Sequence, residues 1–229
     1  SPISNALANL YAASLDSDLQ DVEQSFYARY GDDFLFAHPR LETARRVMEI
    51  IDVRTAQLQL RINPKKAANF YLTAAGRSYE GAPDFVGCQQ VDFLGFACTF
   101  GGTVALKTAR LRNLLRDVRM RVRDTARLHE DRPLDERALA VCRVVNQALN
   151  PRHAACHPYA RWVRSVVTDR AQLRQIDYRL GRLVAWALSG HAGVKVLRRF
   201  PIERMRTDWQ LRSVVVGRNR HGKRRRGDI

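Results

Sequence analysis

The chain has 229 residues, 45% of them hydrophobic, which suits one large domain or two small ones. Lysine and arginine number 39 against 23 acidic residues, a formal net charge of +16 at pH 7. That balance favours a polyanionic partner, nucleic acid before membrane, and no window approaches the roughly 18 consecutive apolar residues of a membrane span.

The charge is unevenly placed. Residues 1–106 hold 9 basic and 12 acidic side chains, whereas residues 107–229 hold 30 basic and 11 acidic. A near-neutral chemical module followed by a basic grip for nucleic acid is the arrangement this suggests. Cys88, Cys98, Cys142 and Cys156 show no disulfide-framework spacing, so a reducing cytoplasm is the expected setting. The first residues are Ser1-Pro2 rather than Met, which reads as a fragment or a processed product.

Ser1 suits an N-cap and Pro2 a first helical position. Ile3, Leu7, Leu10, Tyr11 and Leu15 then recur at helical spacing, predicting one helix to about Asp18. In Phe26 to Phe36, apolar residues alternate on both sides of Gly31-Asp32-Asp33, the pattern of a β-hairpin. Its turn holds two adjacent carboxylates, which repel each other unless a cation compensates. Mg²⁺ or Mn²⁺ would suit their oxygen donors, while Asp residues also favour turns for local reasons. Asp16, Asp18 and Asp21 read as a charged helix end.

Pro39 starts a second predicted helix, with Leu41, Ala44, Val47, Met48 and Ile51 on its buried stripe. Leu58, Leu60 and Ile62 alternate as a strand that Asn63-Pro64 ends. Residues 74–90 read as loop. Val91 to Cys98 reads as one strand, turned back at Gly101-Gly102 into Thr103 to Leu106. A long helix follows from about Thr108 to Leu128. Leu111, Leu114, Leu115, Val118 and Val122 line one side, and Lys107, Arg110, Arg112, Arg116, Arg119, Arg121, Arg123 and Arg127 supply a row able to track phosphates. Further helices fit 134–149, 158–167 and 170–189, the last ending at Gly190. Short helices or irregular structure are expected over 194–217, anchored by Val196, Leu197, Phe200 and Trp209. The segment Arg218 to Arg226 has six basic residues in nine and is expected to order only on nucleic acid. His153, Cys156 and His157 offer too few ligands at an unsuitable spacing for a structural zinc site.

Together these pieces resemble the palm and thumb of a prokaryotic reverse transcriptase, the type found in group II introns, retrons, diversity-generating elements and defence systems. The resemblance rests on four blocks in order: Ser1-Pro2-Ile3-Ser4 with Leu7 to Tyr11; Arg29-Tyr30-Gly31-Asp32-Asp33-Phe34; Leu60-Arg61-Ile62-Asn63-Pro64-Lys65-Lys66; and Phe93-Leu94-Gly95-Phe96. It implies an α+β fold: a partial polymerase palm, with an antiparallel sheet and packed helices, over residues 1–106. A helical thumb and extension would occupy 107–217, followed by a basic tail over 218–229.

The resemblance implies that Asp32 and Asp33 bind catalytic Mg²⁺ or Mn²⁺ and that Tyr30 and Lys66 lie by the incoming nucleotide. It implies that Phe93, Leu94, Gly95 and Phe96 hold the primer end. Lys107, Arg110, Arg112, Arg116, Arg119 and Arg123 would grip the duplex. The implied partners are an RNA template, a DNA or RNA primer, dNTPs, and a fingers and first-palm segment in cis or in trans that carries a third carboxylate. Without that segment, binding of nucleic acid without synthesis is the expectation. The pattern departs from relatives at Asn5, where many have Pro; at Gly31, where intron enzymes have Ala; and at Ala67, where Thr is usual. Two other readings stay open: an RNA-dependent RNA polymerase, and a non-catalytic polymerase remnant that binds nucleic acid.

Overall fold

The computed structural model describes residues 2–191, 193 and 195–215, so Ser1 and the basic segment 218–226 lie outside the described residues. The fold is mixed α+β, and the chain divides into two compact units, Ser1–Leu94 and Gly95–Ile229.

The first unit opens with α1 (Pro2–Tyr11) and α2 (Ala13–Gln20), where the apolar spacing predicted a single helix. The break falls at Ala12, whose ψ of 4° departs from the helix. Tyr11 beside it donates its hydroxyl to the Leu58 carbonyl (2.5 Å), fixing where α1 ends. The consequence is a split stripe. Leu15 and Leu19 of α2 are buried, while Ile3, Leu7, Leu10 and Tyr11 of α1 are exposed. The core of this unit is small: Leu15, Leu19 and Val47, backed by Val22, Tyr27, Phe36, Ile50 and Ile51.

The hairpin forms as its alternation predicted. Strands β1 (Phe26–Tyr30) and β2 (Asp33–Ala37) pair antiparallel, from Phe26 opposite Ala37 to Tyr30 opposite Asp33. Gly31 and Asp32 make the turn, and only Gly31 takes a positive φ, +64°. A glycine adopts that conformation without the steric cost borne by other residues. Next comes α3 (Leu41–Gln57).

The strand expected at Leu58 to Ile62 does not form. Leu58 is drawn in as the C-cap of α3. Gln59 has a φ of +53°, and the Leu60 amide donates to the Thr55 carbonyl (2.8 Å), which turns the chain away from an extended path. The stretch expected as loop instead contains β4 (Val86–Cys88), paired in parallel with β3 (Phe70–Leu72). The strand expected over Val91 to Cys98 is two strands, β5 (Gln90–Phe93) and β6 (Phe96–Thr99). Leu94 and Gly95 between them both have positive φ, 47° and 80°, which no continuous strand accommodates.

In the second unit, β6 pairs antiparallel with β7 (Val104–Leu106). The hairpin is sewn to the start of α7 (Arg170–Ser189). Gln172 gives its amide to the Leu106 carbonyl and accepts from the Leu106 amide, both at 2.8 Å. Asp169 caps α7 by accepting from the amides of Ala171 and Gln172. These bonds explain why the hairpin belongs to this unit.

Helices α4 (Thr108–Leu128), α5 (Leu134–Ala148) and α6 (Pro158–Ser165) join α7 around one core that includes Leu111, Leu114, Val118, Val141, Val145 and Ile176. Short helices α8 (Val196–Arg199) and α9 (Ile202–Thr207) follow, with Phe200 and Trp209 buried as anchors. The last described residues are strapped down by Asp177, which accepts from the Val214 amide (2.7 Å), Ser213 and Arg206 (3.2 Å).

Candidate active site and nucleic-acid interface

The Tyr30–Asp33 tip stands on two rigid strands. Asp32 and Asp33 are exposed there, beside Tyr30, which is 71% exposed. The tip is braced from behind. Arg29 donates to both carboxylate oxygens of Asp16, at 2.7 and 2.5 Å, and its remaining nitrogen donates to the Gly31 carbonyl (2.9 Å) and Asn9 Oδ1 (3.1 Å). Tyr27 donates its hydroxyl to the same carboxylate (2.6 Å).

The Arg29 hydrogen bond holds Asp16 below the usual carboxylate range, aided by Tyr27 and opposed by desolvation. Burial and the Asp16 carboxylate push the Tyr27 phenol far up, so it stays a donor. Asp16 is therefore a brace of the hairpin rather than a loose charged helix end, and Asp18 is likewise paired, with Arg54. Neither role was visible in the sequence, since each pair joins separate elements and no spacing rule links them.

Two adjacent carboxylates supply hard oxygen donors, and Mg²⁺ is commonly held by one or two carboxylates together with substrate phosphates and water. Asp32 and Asp33 fit that donor set. Among the described residues, no group of three or more His, Cys, Asp or Glu side chains is placed to hold a metal by itself. His157 instead caps α6, accepting the Tyr159 amide at Nδ1 (3.1 Å). Lys66 is exposed on a turn made by Asn63, whose carbonyl accepts the Lys66 amide (2.9 Å).

In the second unit the basic row separates into two sets. Arg112, Arg116, Arg119, Arg123 and Arg127 recur at three- and four-residue steps on α4 and are all exposed, sharing one face. Arg119 lies over the Trp186 ring (4.6 Å), and Arg123 pairs with Asp124. Lys107, Arg110 and Arg121 are half-buried. Arg121 is engaged by Asp117 (2.9 Å) and the Ala155 carbonyl, so it belongs to the scaffold. Arg110 lies over the Tyr159 ring (5.0 Å) and fills the space where a side chain on Gly95 would sit. Gly95 is thus required twice, by its φ of +80° and by Arg110. Phe96, next in the chain, packs edge-to-face on Trp162 at 6.2 Å. Tyr159 and Trp162 were not singled out in the sequence, although their three-residue spacing on α6 was the available signal.

The hairpin, the Lys66 turn and the Phe93–Phe96 stretch all fall in one matched segment. Residues 1–98 match the family model for reverse transcriptase (RNA-dependent DNA polymerase). No curated protein and no solved structure matches the chain. The similarity supports a reverse transcriptase over this segment, and with it nucleotidyl transfer on a nucleic-acid template as the general activity. The arginine face of α4 and all helices after it lie beyond the matched residues. No helix among the described residues is long and apolar enough to cross a membrane.

Proposed function

We propose that this chain carries the palm portion of an RNA-directed DNA polymerase of the prokaryotic type, followed by a helical thumb that grips the template–primer duplex. The observation that carries the reading is the Tyr30–Asp33 hairpin, with two adjacent exposed carboxylates at a braced turn, inside the segment that matches the reverse transcriptases.

Each residue has a role in this reading. Asp32 and Asp33 hold Mg²⁺ or Mn²⁺ together with the nucleotide phosphates. When bound, the metal neutralises phosphate charge and favours the ionised primer hydroxyl. Tyr30 packs beside the incoming nucleotide, and Lys66 offers its ammonium to the triphosphate. Phe93, Leu94, Gly95 and Phe96 seat the primer end. Arg112, Arg116, Arg119 and Arg123 contact phosphates, which gives affinity without sequence preference. A third palm carboxylate comes from a fingers and first-palm segment outside residues 1–229, in cis or in trans.

Primer extension with dNTPs on an RNA template tests this. Residues 1–229 alone are expected to bind the duplex without incorporating nucleotides. Supplying the fingers and first-palm segment of a reverse transcriptase, fused or as a second chain, is expected to confer incorporation that Asp32→Asn abolishes. Robust extension by residues 1–229 alone would contradict the need for a third carboxylate. Extension that survives Asp32→Asn would remove the catalytic assignment.

A further inference from the structure

Outside the matched segment, the second unit presents an aromatic surface that neither the hairpin nor the arginine row explains. Trp162 of α6 is 46% exposed. The other tryptophans differ: Trp209 is 1% exposed, and Trp186 is half-buried beneath Arg119. An aromatic ring left half in water gains apolar burial when a ligand covers it.

The ring is held in place rather than left loose. Phe96 meets it edge-to-face at 6.2 Å. One turn back on α6, Tyr159 lies under the Arg110 guanidinium, and Arg110 closes over Gly95. Two consecutive residues of the chain, Gly95 and Phe96, are thereby tied to two aromatics on one helix face. The preorganisation lowers the entropy lost when a ligand binds.

The surroundings are cationic. Arg161, next to Trp162, is exposed, and Arg164 is half-buried with an Nε that has no hydrogen-bond partner among the described residues. The acid that acts on Arg164, Asp177, is already engaged by the Val214 amide, Ser213 and Arg206. An exposed aromatic ring among unneutralised arginines matches a nucleic-acid strand, because the ring stacks a base while the cations attract its phosphates. An apolar protein partner would gain from the ring alone but would leave the arginines without counter-charges.

We propose that Trp162 is a stacking platform for an unpaired nucleobase, placed by its contact with Phe96 and flanked by Arg161 and Arg164. The inference deepens the nucleic-acid reading of this unit and rests on it. A base inside a continuous duplex has no free face for stacking. The preferred ligand is therefore a single strand or an unpaired end rather than the duplex interior that α4 would track.

The test uses residues 1–229 with Trp186→Phe, which leaves Trp162 as the accessible emitter, titrated with a single-stranded RNA oligonucleotide and with a relaxed, covalently closed circular duplex DNA, which has neither free ends nor unpaired bases. The single strand should quench Trp162 emission and the closed duplex should leave it unchanged. Trp162→Ala should weaken single-strand binding about tenfold without changing its salt slope, because stacking releases no counter-ions. Trp162→Phe, which keeps an aromatic ring against Phe96, should recover most of that loss. Single-strand binding with Trp162 emission unchanged would overturn the platform while leaving the phosphate grip of α4 intact. Failure of both probes to bind would overturn the nucleic-acid reading itself and the platform with it.

Discussion

Arg29 joins three elements through one guanidinium: Asp16 of α2 at 2.7 and 2.5 Å, Asn9 of α1 at 3.1 Å, and the carbonyl of Gly31 in the hairpin turn at 2.9 Å. The residue before the Tyr30–Asp33 tip therefore fixes the turn on which the two exposed carboxylates stand. The pair is sheltered, with side-chain exposures of 10% for Arg29 and 21% for Asp16. Asp16→Asn leaves a half-buried guanidinium without its counter-ion and should cost about 2 kcal/mol of stability, measured by urea unfolding.

The same pair sets an acid dependence. Arg29 depresses the Asp16 pKa in the folded chain, so the stabilisation is fully present above the ordinary value of 3.8 and is lost as pH falls through the lower, folded value. Unfolding free energy measured from pH 6 downward to about 2 should therefore fall less steeply in Asp16→Asn than in the native chain. Parallel acid limbs would mean that the ion pair contributes nothing.

Gly31 tests the turn itself. A side chain there meets no atom within 4 Å, but φ is +64°. Gly31→Ala should destabilise the hairpin by about 1 kcal/mol through backbone strain alone. Gly31→Asn should cost less, because asparagine tolerates the left-handed region. Amide hydrogen exchange across β1 and β2 distinguishes the two, and a neutral Gly31→Ala would show that the turn relaxes freely.

The arginine row on α4 predicts a salt effect. Arg112→Ala, Arg116→Ala and Arg119→Ala together should flatten the dependence of duplex affinity on salt by about 0.9 log unit per lost phosphate contact on B-form DNA. Arg121→Ala should leave the slope unchanged, since that side chain is held by Asp117 and Ala155. An unchanged slope in the triple variant would mean that the row does not meet phosphate.

His157 adds a second, milder pH dependence. Its ring accepts the Tyr159 amide, and burial together with Arg121 lowers its pKa against the opposing pull of Asp117. The neutral cap is present above the ordinary value of 6.5 and is lost as pH falls through the lower, folded value. His157→Asn keeps a capping oxygen and should remove that dependence, at a cap worth about 1 kcal/mol.

What could be read from sequence follows how local each signal is. The hairpin was readable because its alternation, its glycine and its aspartates all lie within eleven residues, Phe26 to Phe36. Helices α4 and α7 were readable from long apolar periods and from the Gly190 stop. The strand expected at Leu58 to Ile62 was not, because α3 continues to Gln57 and the Thr55 carbonyl captures the Leu60 amide. Strands β3 and β4 escaped notice because three-residue strands carry almost no period. Within the site, Asp32 and Asp33 announced themselves as neighbours. The Arg29–Asp16 brace and the Phe96–Trp162 contact join residues far apart in the chain, and only folding reveals such pairs.

The most direct test of the Asp32–Asp33 assignment is Mn²⁺ binding in the presence of a dNTP, followed by electron paramagnetic resonance. The native chain should take up Mn²⁺ with the nucleotide, and Asp32→Asn should weaken that uptake about tenfold while Asp21→Asn leaves it unchanged. Equal uptake by the native chain and by the Asp32→Asn, Asp33→Asn double variant would contradict a nucleotidyl-transfer site at this hairpin.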